Sequence, residues 1–322
     1  VTPPAPAEPA AAPPQVPQAP LLSLTGVSRS FGAGRGGHDA LTGVTAEVRG
    51  PSIVGLLGRN GAGKTTLLRA LAGQDFATAG SVRVLGADPA ENDAVLRRTV
   101  FVREDQTYPD LKVRHILAAA AMFYPAWDDE LADDLLAAYE LPAGRAVKKL
   151  SRGMRAALGI VVGLSARAEV TLFDEPVSGL DAVVRDRFYG HLLADYTAHP
   201  RCVVLSTHLI DEVAELLERI LILDHGRLVL DALADDLRGN AVTVTGRTCD
   251  VNRFIADRPV LSRRTLGPQS TATMAGRLDG TDRRLAERLH LDLRYLTLQQ
   301  LAMHAADSGV RATLTTAGAD RP

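Results

Sequence analysis

Residues 58–65, Gly58-Arg59-Asn60-Gly61-Ala62-Gly63-Lys64-Thr65, have the spacing GxxxxGK[ST]. At average residue frequencies this pattern arises by chance on the order of once in a hundred chains of this length. Glycines so placed let successive backbone N–H groups curl round a phosphate, beside the positive end of a following helix. The apolar run SIVGLL precedes the motif and the periodic run TTLLRALAG follows it, the strand–loop–helix context that a phosphate loop requires. Gly58 to Thr66 then form the cradle, Lys64 reaches the β- and γ-phosphates, and the Thr65 hydroxyl serves Mg2+. A glycine-rich turn that binds nothing is the plain alternative. A phosphate loop alone does not choose among kinases, GTPases, helicases and transport ATPases.

A second cluster narrows the chemistry. EVTLFDEPVSGLD, residues 169–181, reads as a buried strand ending in two acids, and strand alternation would turn neighbouring side chains to different sides. Asp174 suits a Mg2+ ligand, and Glu175 suits the base that orients and deprotonates a water. The competing reading is a solvated turn, since DEP and SGLD are good turn sequences. His208 closes the apolar run VVLSTH, and a strand end on the ligand edge of a parallel sheet favours a γ-phosphate contact. LSRGM, residues 150–154, opens the apolar run RAALGIVVGL. Ser151 reads locally as an N-cap, and the same helix start is a potential anion site.

These groups need a scaffold, and the pattern predicts an α/β one. Leu22–Val27, Leu41–Val48, Ser52–Leu57, Glu169–Phe173 and Arg201–Ser206 read as strands, with two more flanking the His225-Gly226 turn. A helical insertion is expected at about 106–166, broken at Pro125. Beyond Asp236 the order strand, helix, strand, strand, helix, strand predicts a small α+β unit over 236–308 of βαββαβ type. Its elements include a helix over Val251–Ala256, a helix over Asp282–Leu289 and a last helix over Leu298–Ala306. Residues 1–20 hold 8 of the 18 prolines and are expected to be an extended tail, with a second frayed tail at 309–322.

Composition sets the outer limits. A net charge of −2 with Lys and Arg spread along the chain lacks the footprint of a nucleic-acid surface. The longest nearly apolar run, residues 156–166, is shorter than the roughly 20 residues that span a bilayer as a helix. Cys202 and Cys249 lie far apart without ligand spacing, so neither a disulfide nor a zinc site is expected.

The order of these motifs resembles the ATP-binding subunit of ABC transporters over about residues 21–233. GRNGAGKT is similar to the Walker A motif, LSRGM to the signature, VTLFDE to Walker B with its catalytic glutamate, SGLD to the D-loop and LSTH to the switch histidine. The resemblance implies the ATPase domain of a P-loop NTPase over 21–235, binding ATP and Mg2+. It implies a head-to-tail dimer, with a copy of itself or a second ATPase subunit, that sandwiches ATP between one phosphate loop and the other chain's signature. Ser151 and Gly153 would meet the neighbour's phosphate, Asp181 would communicate across the dimer, and Phe31 would stack on adenine. The helical insertion would couple to a membrane permease near Tyr108, Pro109 and Leu111, placing the chain peripherally at the cytoplasmic face. A soluble ATPase of translation or DNA repair and a non-hydrolysing regulator are the alternatives.

Three departures mark this chain. Arg152 and Met154 replace the glycine and glutamine of LSGGQ. Arg152 is expected to need no positive φ, and its partner, a triphosphate or a surface acid, is left open. In TVFVREDQTYP, Glu104 falls where the family has a glutamine that contacts Mg2+ and the lytic water, with Gln106 as a displaced candidate. The C-terminal unit, with LSRGM and Glu104, resembles a subgroup that pairs with separate six-helix permeases of the ABC-2 type, commonly exporters.

Overall fold

Short runs rich in Val, Ile and Leu, packed with the period of two that strands impose, build a six-stranded sheet. Its order is β5 (Thr99–Arg103), β6 (Val170–Asp174), β7 (Cys202–Ser206), β3 (Ser52–Leu57), β8 (Arg219–Asp224) and β9 (Arg227–Leu233). The first five run parallel and β9 returns antiparallel. A separate antiparallel sheet has the order β2 (His38–Val48), β1 (Leu22–Phe31), β4 (Ala79–Val84). The computed structural model describes residues 19–32, 37–256 and 258–301. The tails expected at 1–20 and 309–322 lie outside them, apart from residues 19 and 20.

Alternation along each strand divides the side chains between two cores. Val203 and Leu205 join one core, while Cys202 and Val204 join the other. The first core is closed by α5 (Arg152–Ser165) and α6 (Ala182–Ala198); the second fills the space between the two sheets around α1 (Lys64–Leu71). Each fully buried Leu, Ile or Phe contributes about 1.5–3 kcal/mol. Close approach of α5 to the sheet requires small residues. A Cβ on Gly163 would lie 2.6 Å from Phe173 Cε1, and one on Gly159 2.9 Å from Val102 Cγ1.

The span between β5 and β6 is helical as expected. The short α2 (Asp93–Leu96) precedes β5, then α3 (Val113–Phe123), α4 (Asp129–Ala138) and α5 follow, and α3 stops before Pro125. Buried charge ties this region to the sheet. Arg201 donates to Asp195 Oδ2 at 2.6 Å with both side chains almost fully buried, and Arg167 bridges towards Asp195 and Asp128.

Two boundaries differ from expectation. β1 continues past Val27 to Phe31, and β2 starts at His38 rather than Leu41. Cross-strand pairing extends the ladder into residues that read as loop: Phe31 pairs with His38, and Ser30 Oγ donates to Asp39 at 2.6 Å. The His225-Gly226 turn is as expected, with φ of 45° and 74°, the conformation favoured in two-residue hairpins. Gly226 N donates to Ala62 O at 3.0 Å and its carbonyl accepts from Thr42 N at 2.8 Å, so this turn braces the phosphate loop against β2.

After β9 come α8 (Ala234–Leu237), β10 (Ala241–Arg247), α9 (Thr248–Ile255), β11 (Val260–Leu266), β12 (Gln269–Ala275), α10 (Gly280–Arg288) and β13 (Asp292–Tyr295). The four strands form an antiparallel sheet in the order β11-β12-β10-β13, a split βαβ arrangement with Val242, Phe254 and Met274 in its core. The expected last helix begins at Leu298, and its part beyond residue 301 lies outside the described residues. Cys202 is buried, which pushes its thiol up to about 12, while Cys249 is exposed on α9.

Candidate functional site

In a parallel sheet all strands end on the same edge, and ligand crevices form there. β3 ends at Leu57, β6 at Asp174, β7 at Ser206 and β5 at Arg103, so the phosphate loop, the two acids, His208 and Glu104 all leave from one side. A cleft of about 450 Å3 lies between them. Phe31, Asn60 to Thr66, Glu104, Asp174 and Glu175 line it, while His208 is not among the lining residues and reaches it only through Glu175.

The loop itself follows from glycine's backbone freedom. Gly58, with φ of 148°, and Gly63, with φ of 103°, sit where a Cβ would meet backbone oxygens, Leu223 O at 2.3 Å and Ala40 O at 2.5 Å. Ala62 N closes a turn onto Arg59 O at 3.0 Å. Gly63 is the N-cap of α1 and supplies no side-chain cap, so the first N–H groups of the helix keep their donors for a ligand. Lys64 is buried and its Nζ donates to Gly58 O at 2.8 Å, which holds the ammonium beside those donors.

Thr65 Oγ1 donates to Asp174 Oδ2 at 2.6 Å. Asp174 Oδ1 is buried without a partner. Burying an unpaired carboxylate oxygen is costly, and a hydroxyl beside an unfilled carboxylate oxygen is a donor set that suits a hard divalent cation. The residues present therefore fit Mg2+.

Asp174 and Glu175 do diverge, but the physical reason differs from alternation. Glu175 adopts φ of 50°, an uncommon left-handed turn for a residue with a side chain, so the strand has ended before it. Its N–H donates to Ser206 O at 3.0 Å, and its Oε2 lies 2.7 Å from His208 Nδ1. The α7 turn (Ile210–Val213) follows His208 directly.

Glu104, rather than Gln106, stands at the strand end. Its N–H extends the β5–β6 ladder to Asp174 O at 2.9 Å, whereas Gln106 N turns back onto Arg103 O at 3.2 Å. Gln106 and Tyr108 line a neighbouring cleft of about 560 Å3 with Val147 and Arg155. Tyr108 packs against the core, which raises its phenol above the ordinary range through desolvation. Pro109 and Leu111 are exposed outside that lining.

Phe31 reaches the cleft from the second sheet, with the Arg29 guanidinium 4.5 Å from its ring centroid. Ser151, Gly153 and Asp181 do not join the phosphate loop. Ser151 caps α5 by accepting from Met154 N at 3.1 Å, and Asp181 caps α6 by accepting from Val184 N at 3.0 Å. Gly153 and Asp181 line a third cleft, of about 510 Å3, beside Tyr139 and Leu180.

Arg152 is the first residue of α5 and its φ is not positive, so the departure from glycine costs no backbone strain. Its guanidinium takes an acid, Glu104. Ser178 Oγ donates to the same carboxylate at 2.6 Å. Sequence reasoning missed Ser178; its place in the SGLD turn was the one available signal.

A family model described as "ABC transporter" matches residues 41–178. The Mycobacterium tuberculosis doxorubicin resistance ATP-binding protein DrrA is 32% identical over 228 residues, covering 68% of this chain and 67% of DrrA. The Granulibacter bethesdensis aliphatic sulfonates import ATP-binding protein SsuB is 33% identical over 217 residues, covering 66% of this chain and 84% of SsuB. The chain belongs to the ABC transporter ATP-binding family. A solved ABC cassette, dimeric with ADP and Pi, has the same fold, with a TM-score of 0.58 at 23% identity over 66% of this chain and 98% of that one. Like its family, this ABC protein is an ATPase that uses ATP with Mg2+. No helix among the described residues is long and apolar enough to cross a membrane, and ABC ATP-binding subunits work with membrane permeases.

Proposed function

We propose that the chain is the MgATP-hydrolysing subunit of an exporter whose permease is a separate membrane protein. The Thr65–Asp174 hydrogen bond, with Asp174 Oδ1 unfilled beside the phosphate loop, carries this reading. In it residues 58–66 hold the phosphates, Thr65 and Asp174 hold Mg2+ with Glu104 as a further ligand, and Phe31 stacks on adenine. Bound Mg2+ would screen phosphate charge and polarise the γ-phosphoryl group. Glu175 accepts the proton of the attacking water, and His208 contacts the γ-phosphate. Placement of Gly153 and Asp181 on a cleft away from their own phosphate loop, with Ser151 next to Gly153 as the cap of α5, supports a role towards the nucleotide of a second ATPase chain, identical or not.

The ATPase domain in this reading covers 21–235, with a helical subdomain at about 106–166 that meets the permease near Tyr108, Pro109 and Leu111, and a C-terminal unit from residue 236. The protein is then peripheral at the cytoplasmic face of the membrane. Export rests on the subgroup features LSRGM and Glu104 and on the likeness to DrrA; SsuB, of similar identity, is named for import. Phosphate release that needs Mg2+ and is lost in Glu175→Gln tests the catalytic part, and a wild-type chain without turnover alone or with its permease overturns it. Transport assayed in vesicles of both orientations, with the permease co-reconstituted, tests direction.

A further inference from the structure

Glu104 belongs to two places at once. It lines the cleft of Lys64, Thr65 and Asp174, and its Oε1 accepts from both Arg152 and Ser178. Arg152 starts α5, while Ser178 lies in the turn between Glu175 and Asp181. One carboxylate oxygen therefore joins the end of β5, the first turn of α5 and the loop that follows the two acids. Gly179, with φ of 77°, leaves room for this contact: a Cβ there would lie 3.2 Å from Arg152 Nε.

We propose that Arg152, Glu104 and Ser178 form a latch within one chain, in which Arg152 is a positioning residue that withholds Glu104 from Mg2+ until MgATP loads. The proposal rests on the MgATP reading above. A divalent cation at Thr65 and Asp174 draws in a second carboxylate, and Glu104 is the acid that the β5–β6 ladder places next to Asp174. The same carboxylate neutralises the guanidinium. Mg2+ and Arg152 are both cations competing for one anion, so occupation of the Mg2+ site weakens the hold on Arg152. Release frees the first turn of α5, with Ser151 and Gly153, from its own chain's site.

The strength of the contact suits a latch. The Arg152 side chain is 66% exposed and that of Glu104 41%, and ion pairs so exposed shift an equilibrium by only a few fold. A glycine at 152 has no side chain to make this contact, and a buried pair would cost much more to open.

Binding of AMP-PNP by wild type, Arg152→Ala and Arg152→Lys, each in EDTA and in Mg2+, tests the idea. With Mg2+, Arg152→Ala should bind about two- to five-fold more tightly than wild type. In EDTA the two should bind equally, and Arg152→Lys should keep the wild-type ratio between the two conditions. Hydrogen exchange in the protein without nucleotide should be faster over residues 152–156 in Arg152→Ala, although alanine is the better helix former. An unchanged Mg2+/EDTA ratio together with unchanged exchange in Arg152→Ala overturns the latch. Absence of AMP-PNP binding by wild type in both conditions overturns the MgATP reading itself.

Discussion

His208 Nδ1 lies 2.7 Å from Glu175 Oε2, so the residue two past β7 is bridged to the turn after β6, whose Glu175 lines the cleft. A carboxylate oxygen accepts, so the Nδ1–H of His208 is the donor to Glu175, and Nε2 is left for the phosphate contact. His208→Ala removes both contacts. We expect ATP turnover to fall about 10²-fold with AMP-PNP still bound, and unchanged turnover would remove His208 from the mechanism.

Glu175→Gln keeps the shape of the turn but takes away the proton acceptor. Turnover should drop by about 10²–10⁴-fold, and light scattering should show ATP-dependent dimers that persist. Hydrolysis at the wild-type rate in this variant would mean that another group activates the water.

Glu104→Gln retains an oxygen that can accept from Ser178 and Arg152, while losing the charge that strengthens both bonds. Steady-state ATPase activity is expected to stay within about tenfold of wild type, since replacing a charge-assisted bond by a neutral one costs about 1 kcal/mol. A fall to background would show that an amide cannot substitute for the carboxylate at this strand end.

Asp195 matters for stability through its partner. Arg201 is about as buried as Asp195, and its guanidinium donates to Asp195 Oδ2. Asp195→Ala leaves that cation unpaired and should cost about 3–5 kcal/mol in urea unfolding. A loss below about 1 kcal/mol would show that the pair contributes little beyond its own desolvation.

Two helical glycines should respond in opposite directions to alanine. At Gly163 a methyl would meet Phe173 and Val102 at 2.6 and 2.8 Å, whereas at Gly190 nothing lies within 4 Å. Gly163→Ala should destabilise by about 1–3 kcal/mol. Gly190→Ala should stabilise by about 0.4–1 kcal/mol, and thermal unfolding of the two variants side by side checks both signs.

Much of the site was legible because its chemistry is local. A phosphate loop is contiguous, as the ligand is gripped by consecutive N–H groups, and Gly58 to Thr65 could be read without a fold. The strand end at Asp174 was legible from an apolar run that stops abruptly, whereas β7 stops at Ser206, two residues short of His208. The βαββαβ order after residue 236 was visible in periodicity, whereas its strand order β11-β12-β10-β13 was not, because pairing is chosen by packing between segments distant in sequence.

The sequence by itself determined which groups are available: the glycines, Lys64 and Thr65 of the loop, the adjacent acids, a histidine after an apolar run and an acid at position 104. Only the tertiary structure decided how they are partnered. Thr65 meets Asp174 across 109 positions, and Glu104 rather than Gln106 stands beside it. Arg152, whose partner was left open, turns out to hold that same Glu104 across 48 positions. Such pairings depend on strand order and on how closely α5 can approach the sheet, which are properties of the packed chain and of no single segment.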